Sequence, residues 1–496
     1  MNISLSPNYR RGIWIALLGI IALRLISLDA YPLQDTTEAR YAEIARIMLE
    51  TQNWVTPQFD YDIPFWGKPP LATWLSAASF QVFGVTEFAA RLPSLLLGIV
   101  ILVSVYLMGK YQRNADLGLV AAFVLASSVL FFILSGAVLM DMALVTGIAL
   151  SMLSFWHRMN NGRRVWGYLF FAGLVIGLLS KGPLALVLVC VPISLWAILQ
   201  GDIRKVYRRI PWFSGGLLML ALTLPWYILA EIRTPGFIDY FIVGEHWKRF
   251  TVTGWQGDLY GSAHAKTRGT IWVYAIMSFL PWALFLPVLI WHKKPAVRKV
   301  ISQNSSWVSY LVLWTITPLL FFTFAGNILA TYALPAMIPL SLLGAEYWML
   351  ICKKNIDYDN KNCYVSDKIP FLGLMAPLLL IISISLQKGN FIGTKSQKDL
   401  VKNYHQLTTH ADSRLIYLLK RPFSAQFYSQ GRALEAKDWE QASSYFNDNN
   451  QDYFVIKNSQ LKTIPDHIRS ELQKIGEHHK YSLLRELPGG IASIDR

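Results

Sequence analysis

Two carboxylates and an arginine lie close together near the start of the chain, in the segment LQDTTEARYAE (residues 33–43). Asp35 and Glu38 could act on a substrate as bases or as anions, and Arg40 and Tyr41 could bind an anionic group. The same residue types are typical of a helix start, where Asp, Thr and an early Glu cap free backbone N–H groups. The segment therefore predicts catalysis or helix capping, and the two are compatible.

A lysine follows in the segment FWGKPP (residues 65–70). The two prolines exclude a helix across Lys68, so its ammonium group is expected to be fixed in position. A fixed cation could bind a phosphate. The alternative is a lysine that snorkels to a membrane interface beside aromatic anchors.

A third charged group is EHWKRF (residues 245–250), which places His246 and Arg249 close together. His246 and Glu245 could ligate zinc, but together they supply two ligands at most. The alternative is a polar loop with solvated charges.

Three further residues lie inside or beside apolar blocks: Asp141, Lys181 and Tyr332. Ionisable groups at membrane depth are costly and usually functional. Asp141 and Lys181 both lie near predicted span ends, so an interfacial position is the alternative, and Tyr332 could belong to an aromatic belt.

The elements that must position these residues are predicted from composition. Of 496 residues, 53% are hydrophobic and only 16% are charged, and the apolar residues form long blocks. Each block is close to the roughly 20 residues that cross a bilayer, which indicates a membrane protein. The net charge of +15 is spread over short basic clusters between these blocks, as in cytoplasmic loops. That distribution argues against a nucleic-acid partner.

The apolar blocks predict an all-α polytopic membrane domain of about 11 spans, roughly 13 at most. Alternation of the basic clusters places the N-terminus in the cytoplasm and leaves two external loops, 32–87 and 232–269. The first loop contains an amphipathic stretch, Glu38 to Glu50, that predicts an interfacial helix. The predicted spans are 12–31, 88–109, 115–134, 138–156, 165–180, 183–199, 211–231, 270–291, 307–325, 328–350 and 369–387.

Beyond residue 387 the sequence becomes polar. Short apolar runs predict strands at 415–419, 453–456 and 481–484, and intervening stretches predict helices at 422–430, 438–446 and 465–475. We therefore divide the chain into a membrane domain, residues 1–387, and a small external α/β domain, residues 388–496.

The charged segments occur in an order that resembles the GT-C fold glycosyltransferases, which use polyprenyl-phosphate carriers. The resemblance is strongest to the lipid A aminoarabinose transferases, with protein O-mannosyltransferases as more distant relatives. It covers roughly residues 12–350 and rests on six motifs, namely TEARYAEI (37–44), KPP (68–70), MD (140–141), KG (181–182), EHWKRF (245–250) and TY (331–332).

The resemblance implies transfer of a sugar, in particular an amino sugar, from a polyprenyl-phosphate carrier to lipid A phosphate on the periplasmic side of a bacterial inner membrane. It implies an acidic catalytic residue in the first loop, for which we select Asp35 with Glu38 in reserve. It also implies donor or carrier-phosphate binding by Lys68, Arg249 and Tyr332. Arg40 and Tyr41 are assigned to the same group, and Asp141, Lys181 and His246 to supporting roles.

Two departures from the family pattern affect these roles. The family aspartate aligns with Thr37, whereas the nearest aspartate here is Asp35. The family also has Glu before the lysine of the Lys-Pro motif, as a metal ligand paired with the histidine that matches His246. This chain has Gly67 there. No cofactor is therefore expected, and a divalent metal at His246 is the alternative.

Other functions remain open at this point. The acceptor could be a protein or another glycan. The chain could instead be a polyprenyl-lipid transporter or a carrier-binding membrane protein without turnover, and the discriminating observation is turnover of a polyprenyl-phosphate sugar. The expected partners are the carrier-linked sugar, the acceptor and membrane lipids.

Overall fold

A computed structural model describes residues 4–160, 162–261, 264–284, 287, 305–356, 372–388, 395–408, 412–447 and 451–487. Most of these residues are helical, and the strands of the larger sheet all lie beyond residue 412. The helices up to residue 388 are α1 (Pro7–Ile26), α2 (Thr37–Thr51), α3 (Leu71–Phe83), α4 (Glu87–Gln112), α5 (Ala115–Ala126), α6 (Val129–Leu134), α7 (Asp141–Met159), α8 (Val165–Lys181), α9 (Leu184–Gln200), α10 (Ile203–Arg209), α11 (Trp212–Arg233), a π-helix (Asp239–Lys248), α12 (Arg249–Thr251), α13 (Thr270–Ser278), α14 (Ser305–Thr323), α15 (Leu334–Ile356) and α16 (Met375–Lys388).

The protein is a membrane protein. Within the described ranges, four helices are long and apolar enough to cross a bilayer: Pro7–Asp29, Glu87–Gln112, Trp212–Arg233 and Ser305–Thr323. Shorter apolar helices accompany them, such as Val165–Lys181. The predicted count of about 11 spans therefore stays a prediction.

Helices α7 and α8 pack with their backbones in close approach. A Cβ atom on Gly147 would lie 2.6 Å from the Gly173 carbonyl oxygen and 2.7 Å from the Gly177 nitrogen. Small residues permit this spacing between helices in a bilayer. The close packing brings the start of α7, at Asp141, beside the end of α8, at Lys181.

The predicted span 115–134 is two helices instead of one. The chain breaks at Ser127 and Ser128, whose hydroxyl groups donate to the carbonyl oxygens of Phe123 and Leu125. The backbone N–H of Val129 donates to Leu280 of another segment, 3.1 Å away. Serine hydroxyls that compete for helix carbonyls explain the break, which apolar composition alone could not reveal.

Two other predicted spans are described in part. Residues 285–286 and 288–291 of span 270–291, and residues 369–371 of span 369–387, lie outside the described residues. The helix predicted at 328–350 begins only at Leu334, after a 3₁₀ turn Ala330–Ala333 that carries Tyr332.

The polar segment after α1 is ordered around α2, which confirms the helix predicted there. Strands β1 (Gln58–Asp60) and β2 (Ile63–Pro64) form an antiparallel hairpin beside it. Arg46 of α2 bonds to Glu43 at 2.7 Å and to the Tyr61 hydroxyl at 2.9 Å. The contact with Tyr61, which lies between β1 and β2, attaches the hairpin to the helix.

The C-terminal part forms a five-stranded sheet of order β4-β3-β5-β7-β6. Strand β3 pairs in parallel with β4 and β5, whereas β7 pairs antiparallel with β5 and β6. The strands are β3 (Leu415–Leu418), β4 (Leu434–Ala436), β5 (Tyr453–Lys457), β6 (Leu472–His478) and β7 (Tyr481–Glu486), and the helices are α17 (Lys398–Leu407), α18 (Phe423–Tyr428), α19 (Trp439–Ser443) and α20 (Asp466–Arg469).

The α/β character of this part is confirmed, but one predicted helix is wrong. Helix 465–475 ends at Arg469, and β6 begins at Leu472. Pairing with β7 decides the conformation, because β6 bonds along its length to that strand. Strand propensity depends on such neighbours more than on the local sequence.

Candidate active site

A large cavity lies between the helical part and the C-terminal sheet domain. Its volume is about 860 Å³. Charged and aromatic side chains from distant parts of the sequence line it. The lining includes Thr36, Thr37, Arg40, Tyr41, Phe59, Asp60, Phe65, Gly67, Lys68, Met140, Asp141, Lys181, Glu245, Arg249, Asp258, Tyr260, His264, Thr331, Tyr332, Lys420, Arg421, Phe423, Gln426 and Glu435.

Lys68 and Arg249, which are far apart in sequence, meet at one carboxylate. The Lys68 ammonium lies 2.7 Å from Glu245, and the Arg249 guanidinium lies 3.0 Å from the same side chain. Burial acts to raise the pKa of Glu245, but the charges of Lys68 and Arg249 outweigh it and hold that pKa at about 2. Glu245 is therefore an anion that keeps both cations together.

The π-helix Asp239–Lys248 sets this geometry. It carries Glu245, and Arg249 follows directly. The Asn327 side chain donates to the Arg249 carbonyl oxygen at 2.6 Å, which fixes the end of the segment. In the described part of the chain, the buried Nε of Arg249 has no hydrogen-bond partner. Long π-helical segments are rare and are often found at functional sites.

A second ion pair lies in the cavity wall where α7 begins and α8 ends. The Lys181 ammonium is 2.7 Å from Asp141, and both side chains are nearly buried. The same ammonium lies 5.3 Å from the centre of the Tyr332 ring, which is cation–π distance. The structure thus brings Lys68, Asp141, Lys181, Arg249 and Tyr332 to one cavity.

The contacts of His246 do not match those of a metal ligand. Its Nδ1 lies 2.7 Å from the Phe241 carbonyl oxygen and its Nε2 lies 3.0 Å from that of Lys181. Burial lowers the pKa of His246. Each ring nitrogen of His246 faces a carbonyl oxygen, Gly67 has no side chain and Glu245 holds two cations, so these residues do not fit a metal ion. No cluster of three or more potential ligands occurs among the described residues.

Asp35 does not reach the cavity in this structure. Its carboxylate accepts hydrogen bonds from the Ser424 backbone N–H, at 3.0 Å, and from the Ser424 hydroxyl. Its own N–H donates to the Lys395 carbonyl oxygen at 2.6 Å. Burial raises the pKa of Asp35. Asp35, which the sequence analysis selects as the catalytic residue, thus contacts the C-terminal domain and is absent from the cavity lining.

Glu38 is also absent from the cavity lining. It forms a paired contact with Arg91, whose Nε and Nη2 lie 2.8 and 2.9 Å from its two oxygens. It also accepts the backbone N–H of Gln34, two residues before the N-cap Thr36, at 3.1 Å. Among the residues that the structure describes, no side chain caps the start of α2, so the capping interpretation does not describe Glu38, whose main contact is the ion pair with Arg91. The catalytic roles of Asp35 and Glu38 stay predictions.

Arg40 and Tyr41 do line the cavity. The Arg40 guanidinium donates to the Tyr260 carbonyl oxygen and lies 5.1 Å from the centre of the Tyr41 ring. Its buried Nε has no partner among the described residues. The arrangement leaves a guanidinium group in the cavity wall with capacity for an anionic ligand.

Sequence reasoning missed the central position of Glu245, which it left open as either a metal ligand or a solvated loop charge. A signal was present, because Glu245 precedes Arg249 by four residues, a spacing that pairs charges on a helix. It also missed the residues of the C-terminal domain that line the cavity, and no motif marked them.

Comparisons with known proteins show which proteins the chain as a whole is similar to. A family model of dolichyl-phosphate-mannose-protein mannosyltransferases matches residues 14–241. The undecaprenyl phosphate-alpha-4-amino-4-deoxy-L-arabinose arabinosyl transferase of Erwinia tasmaniensis is 30% identical over 72% of this chain and 63% of its own length. The transferase of the same name from Aeromonas hydrophila is 31% identical over 67% of this chain and 59% of its own length. The chain thus spans less than two thirds of these curated relatives.

Solved structures extend the comparison to nearly the whole chain. The crystal structure of ArnT from Cupriavidus metallidurans bound to undecaprenyl phosphate matches with a TM-score of 0.74 and 16% identity, over 97% of this chain and 99% of that one. The chain has the GT-C fold. An archaeal oligosaccharyltransferase from Archaeoglobus fulgidus matches with a TM-score of 0.55 and 11% identity, over 92% of this chain and 70% of that one. The resemblance to the aminoarabinose transferases is confirmed.

Proposed function

We propose that the protein is a glycosyltransferase that moves a sugar from a polyprenyl-phosphate carrier to an acceptor in the cavity. The relatives named above, which are transferases acting from undecaprenyl phosphate, support an amino sugar as the group transferred. The resemblance supports lipid A phosphate as the acceptor. Protein and other glycans are the alternative acceptors.

The observation that carries this proposal is the position of Lys68 and Arg249 between a polar and an apolar space. Both residues line the large cavity and also a second cavity of about 230 Å³. The second cavity has apolar walls that include Leu184, Val187 and Phe321. A polyprenyl phosphate has the same division, with an anionic head next to a hydrocarbon chain.

Two cations at the leaving group suit the proposed glycosyl transfer. An oxygen of the acceptor forms a bond to the anomeric carbon while the bond from that carbon to the carrier phosphate oxygen breaks. The electron pair of the broken bond stays on the carrier phosphate. Lys68 and Arg249 would stabilise the charge that develops there. A phosphate acceptor is already ionised, so it needs no general base.

Glu245 forms ion pairs with both cations before the donor binds. Its carboxylate occupies positions that a phosphate would otherwise take. The buried Nε–H of Arg249, which has no hydrogen-bond partner among the described residues, is also available to donate to the phosphate. The carrier phosphate would therefore bind beside Glu245 and share the cations with it.

The proposed topology follows the basic clusters. About 11 spans of roughly 20 residues would cross a bacterial inner membrane. The N-terminus would lie in the cytoplasm and the cavity and C-terminal domain in the periplasm, since basic loops remain in the cytoplasm.

The experiment that tests this function is donor turnover by the purified protein. With an undecaprenyl-phosphate amino sugar and lipid A, we expect release of undecaprenyl phosphate and a lipid A product heavier by one sugar, detected by mass spectrometry. Binding of the donor without release of the carrier would identify a carrier-binding protein instead. Movement of intact donor across a proteoliposome membrane would identify a transporter.

A further inference from the structure

The C-terminal domain supplies part of the cavity wall. Five of its residues face the cavity, and we call them the C-terminal wall: Lys420, Arg421, Phe423, Gln426 and Glu435. Three acidic residues of the helical part hold the domain in place. Asp35 contacts Ser424, Asp60 contacts Arg421 and Gln426, and Glu87 contacts Lys398 and Tyr428.

The wall lies at a position in the sheet where ligands usually bind. Strand β3 has a parallel neighbour on each side, β4 and β5, which the chain reaches in opposite directions. Such reversals open a crevice at the carboxyl ends of the strands. Lys420 follows β3 by two residues. The intervening Leu419 has a φ of 68°, and its N–H donates to the Ala436 carbonyl oxygen at 2.7 Å.

Only some of the polar side chains of the C-terminal wall have partners in the protein. Arg421 donates to the Ala433 carbonyl oxygen at 2.6 Å and pairs with Asp60. The Gln426 amide donates to Asp60 at 2.7 Å. Lys420 and Glu435 are different: within the described residues, neither side chain has a hydrogen-bond or ion-pair partner. The wall thus presents one free ammonium and one free carboxylate.

A phosphate-bearing sugar matches this pair of groups. An ammonium binds a phosphate oxygen, and a carboxylate accepts hydrogen bonds from sugar hydroxyl groups. The reaction brings together two phosphates if the acceptor is a phosphate, and Lys68 and Arg249 are already assigned to the carrier. A second cation from the other domain would reduce the repulsion between them.

We propose that Lys420 and Glu435 recognise the acceptor, with Lys420 on a phosphate and Glu435 on hydroxyl groups of a phosphorylated glycolipid headgroup. The inference rests on the proposed function and adds the acceptor site to it. The C-terminal domain then determines which acceptor enters, while the helical part holds the carrier.

The test uses the full-length protein with bisphosphorylated lipid A and with its dephosphorylated analogue. Lys420→Glu should weaken binding of the bisphosphorylated form, measured without donor, and raise its KM more than it lowers kcat. For Lys420→Ala we expect about a two- to fivefold rise in KM, the size of an exposed charge pair. Lys420→Arg should retain most of the affinity. Glu435→Ala should weaken both lipid forms by similar factors.

Lys402→Glu is the matched control, because Lys402 is an exposed lysine on α17 outside the cavity lining. It should leave both affinities unchanged. An equal loss in Lys402→Glu, or a loss in Lys420→Glu that is the same for both lipid forms, would overturn the inference. If the wild-type protein released no undecaprenyl phosphate with any acceptor, the proposed function itself would be overturned.

Discussion

The Glu245 carboxylate lies between two cations, 2.7 Å from the Lys68 ammonium and 3.0 Å from the Arg249 guanidinium. Lys68 lies just before α3, Glu245 lies in the π-helix and Arg249 lies at the start of α12. The contact between them therefore depends on the tertiary fold. A ligand phosphate must share these cations with a carboxylate that is already in place. Glu245 therefore limits the affinity for the carrier and also stabilises the empty site.

Replacement of Glu245 by Gln should raise carrier affinity and lower stability. The neutral amide removes the counter-charge of Lys68 and leaves Arg249 with Asp258 alone, at 3.3 Å, a destabilising situation that a bound phosphate relieves. We expect a lower apparent Tm without ligand, a larger rise in Tm with undecaprenyl phosphate, and roughly tenfold tighter binding. Glu440→Gln, at an exposed position on α19, is the control. Weaker carrier binding in Glu245→Gln would show that the carboxylate is itself needed for the phosphate site.

The same carboxylate predicts a dependence of stability on acid. The pKa of Glu245 falls from the usual 4.5 to about 2 in the folded protein. A lowered pKa stabilises the fold above pH 4.5, and this stabilisation is lost as the pH falls toward 2. Thermal unfolding across this window should show a smaller acid-induced loss in Glu245→Gln than in the wild type. Parallel curves for the two proteins would contradict the ion-pair assignment.

Lys68→Ala and Arg249→Ala should each weaken carrier binding and turnover. Removal of one charged hydrogen bond costs about 1.5–3 kcal/mol, which is roughly ten- to a hundredfold in affinity. The double variant should lose less than the product of the single losses, because both cations touch one phosphate. Isothermal titration with undecaprenyl phosphate measures all three. Strictly multiplicative losses would mean that the two residues act at separate places.

Substitutions at Asp35 and Ser424 can distinguish a catalytic role of Asp35 from a role in attaching the C-terminal domain. Ser424→Ala removes the hydroxyl donor to Asp35 but leaves the carboxylate intact. If Asp35 acts as the predicted catalytic group, Asp35→Asn abolishes transfer and Ser424→Ala retains most of it. If Asp35 attaches the C-terminal domain, the two variants lose similar activity and both become more sensitive to proteolysis that releases this domain. Comparing kcat and limited proteolysis for both variants decides between these roles.

The helical membrane architecture and the cations at the site could be predicted from sequence, because both depend on local features. Apolar blocks predict helices wherever they lie, and Lys68 is fixed by its adjacent prolines. The role of Glu245 depended on a π-helix that no local pattern indicates. The partner of Asp35 lies 389 residues away in the chain, so caps and motifs near Asp35 could not identify it.

Chelation should leave transfer unchanged. The nitrogens of His246 face the carbonyl oxygens of Phe241 and Lys181, and Gly67 offers no carboxylate. Gly67→Glu should not create a metal site either, since a Cβ atom there would already lie 2.8 Å from the Phe65 ring. Turnover measured with EDTA, and again after added Zn²⁺ or Mg²⁺, tests both statements. A loss with EDTA that a metal restores would show that His246 changes its contacts in the working enzyme.

Substitutions in the buried pair of Asp141 and Lys181 can separate the effect of the pair on protein stability from its effect on activity. Breaking a buried ion pair leaves an uncompensated charge and costs about 3 kcal/mol or more, whereas replacing both partners by neutral groups costs much less. Asp141→Asn and Lys181→Met should therefore each lower the apparent Tm, and the double variant should recover most of the loss. Activity should not recover with it, because Lys181 lines both cavities and lies 5.3 Å from the Tyr332 ring. Recovery of both Tm and kcat in the double variant would show that the pair serves packing alone, and an unrecovered Tm would show that the two charges are not coupled.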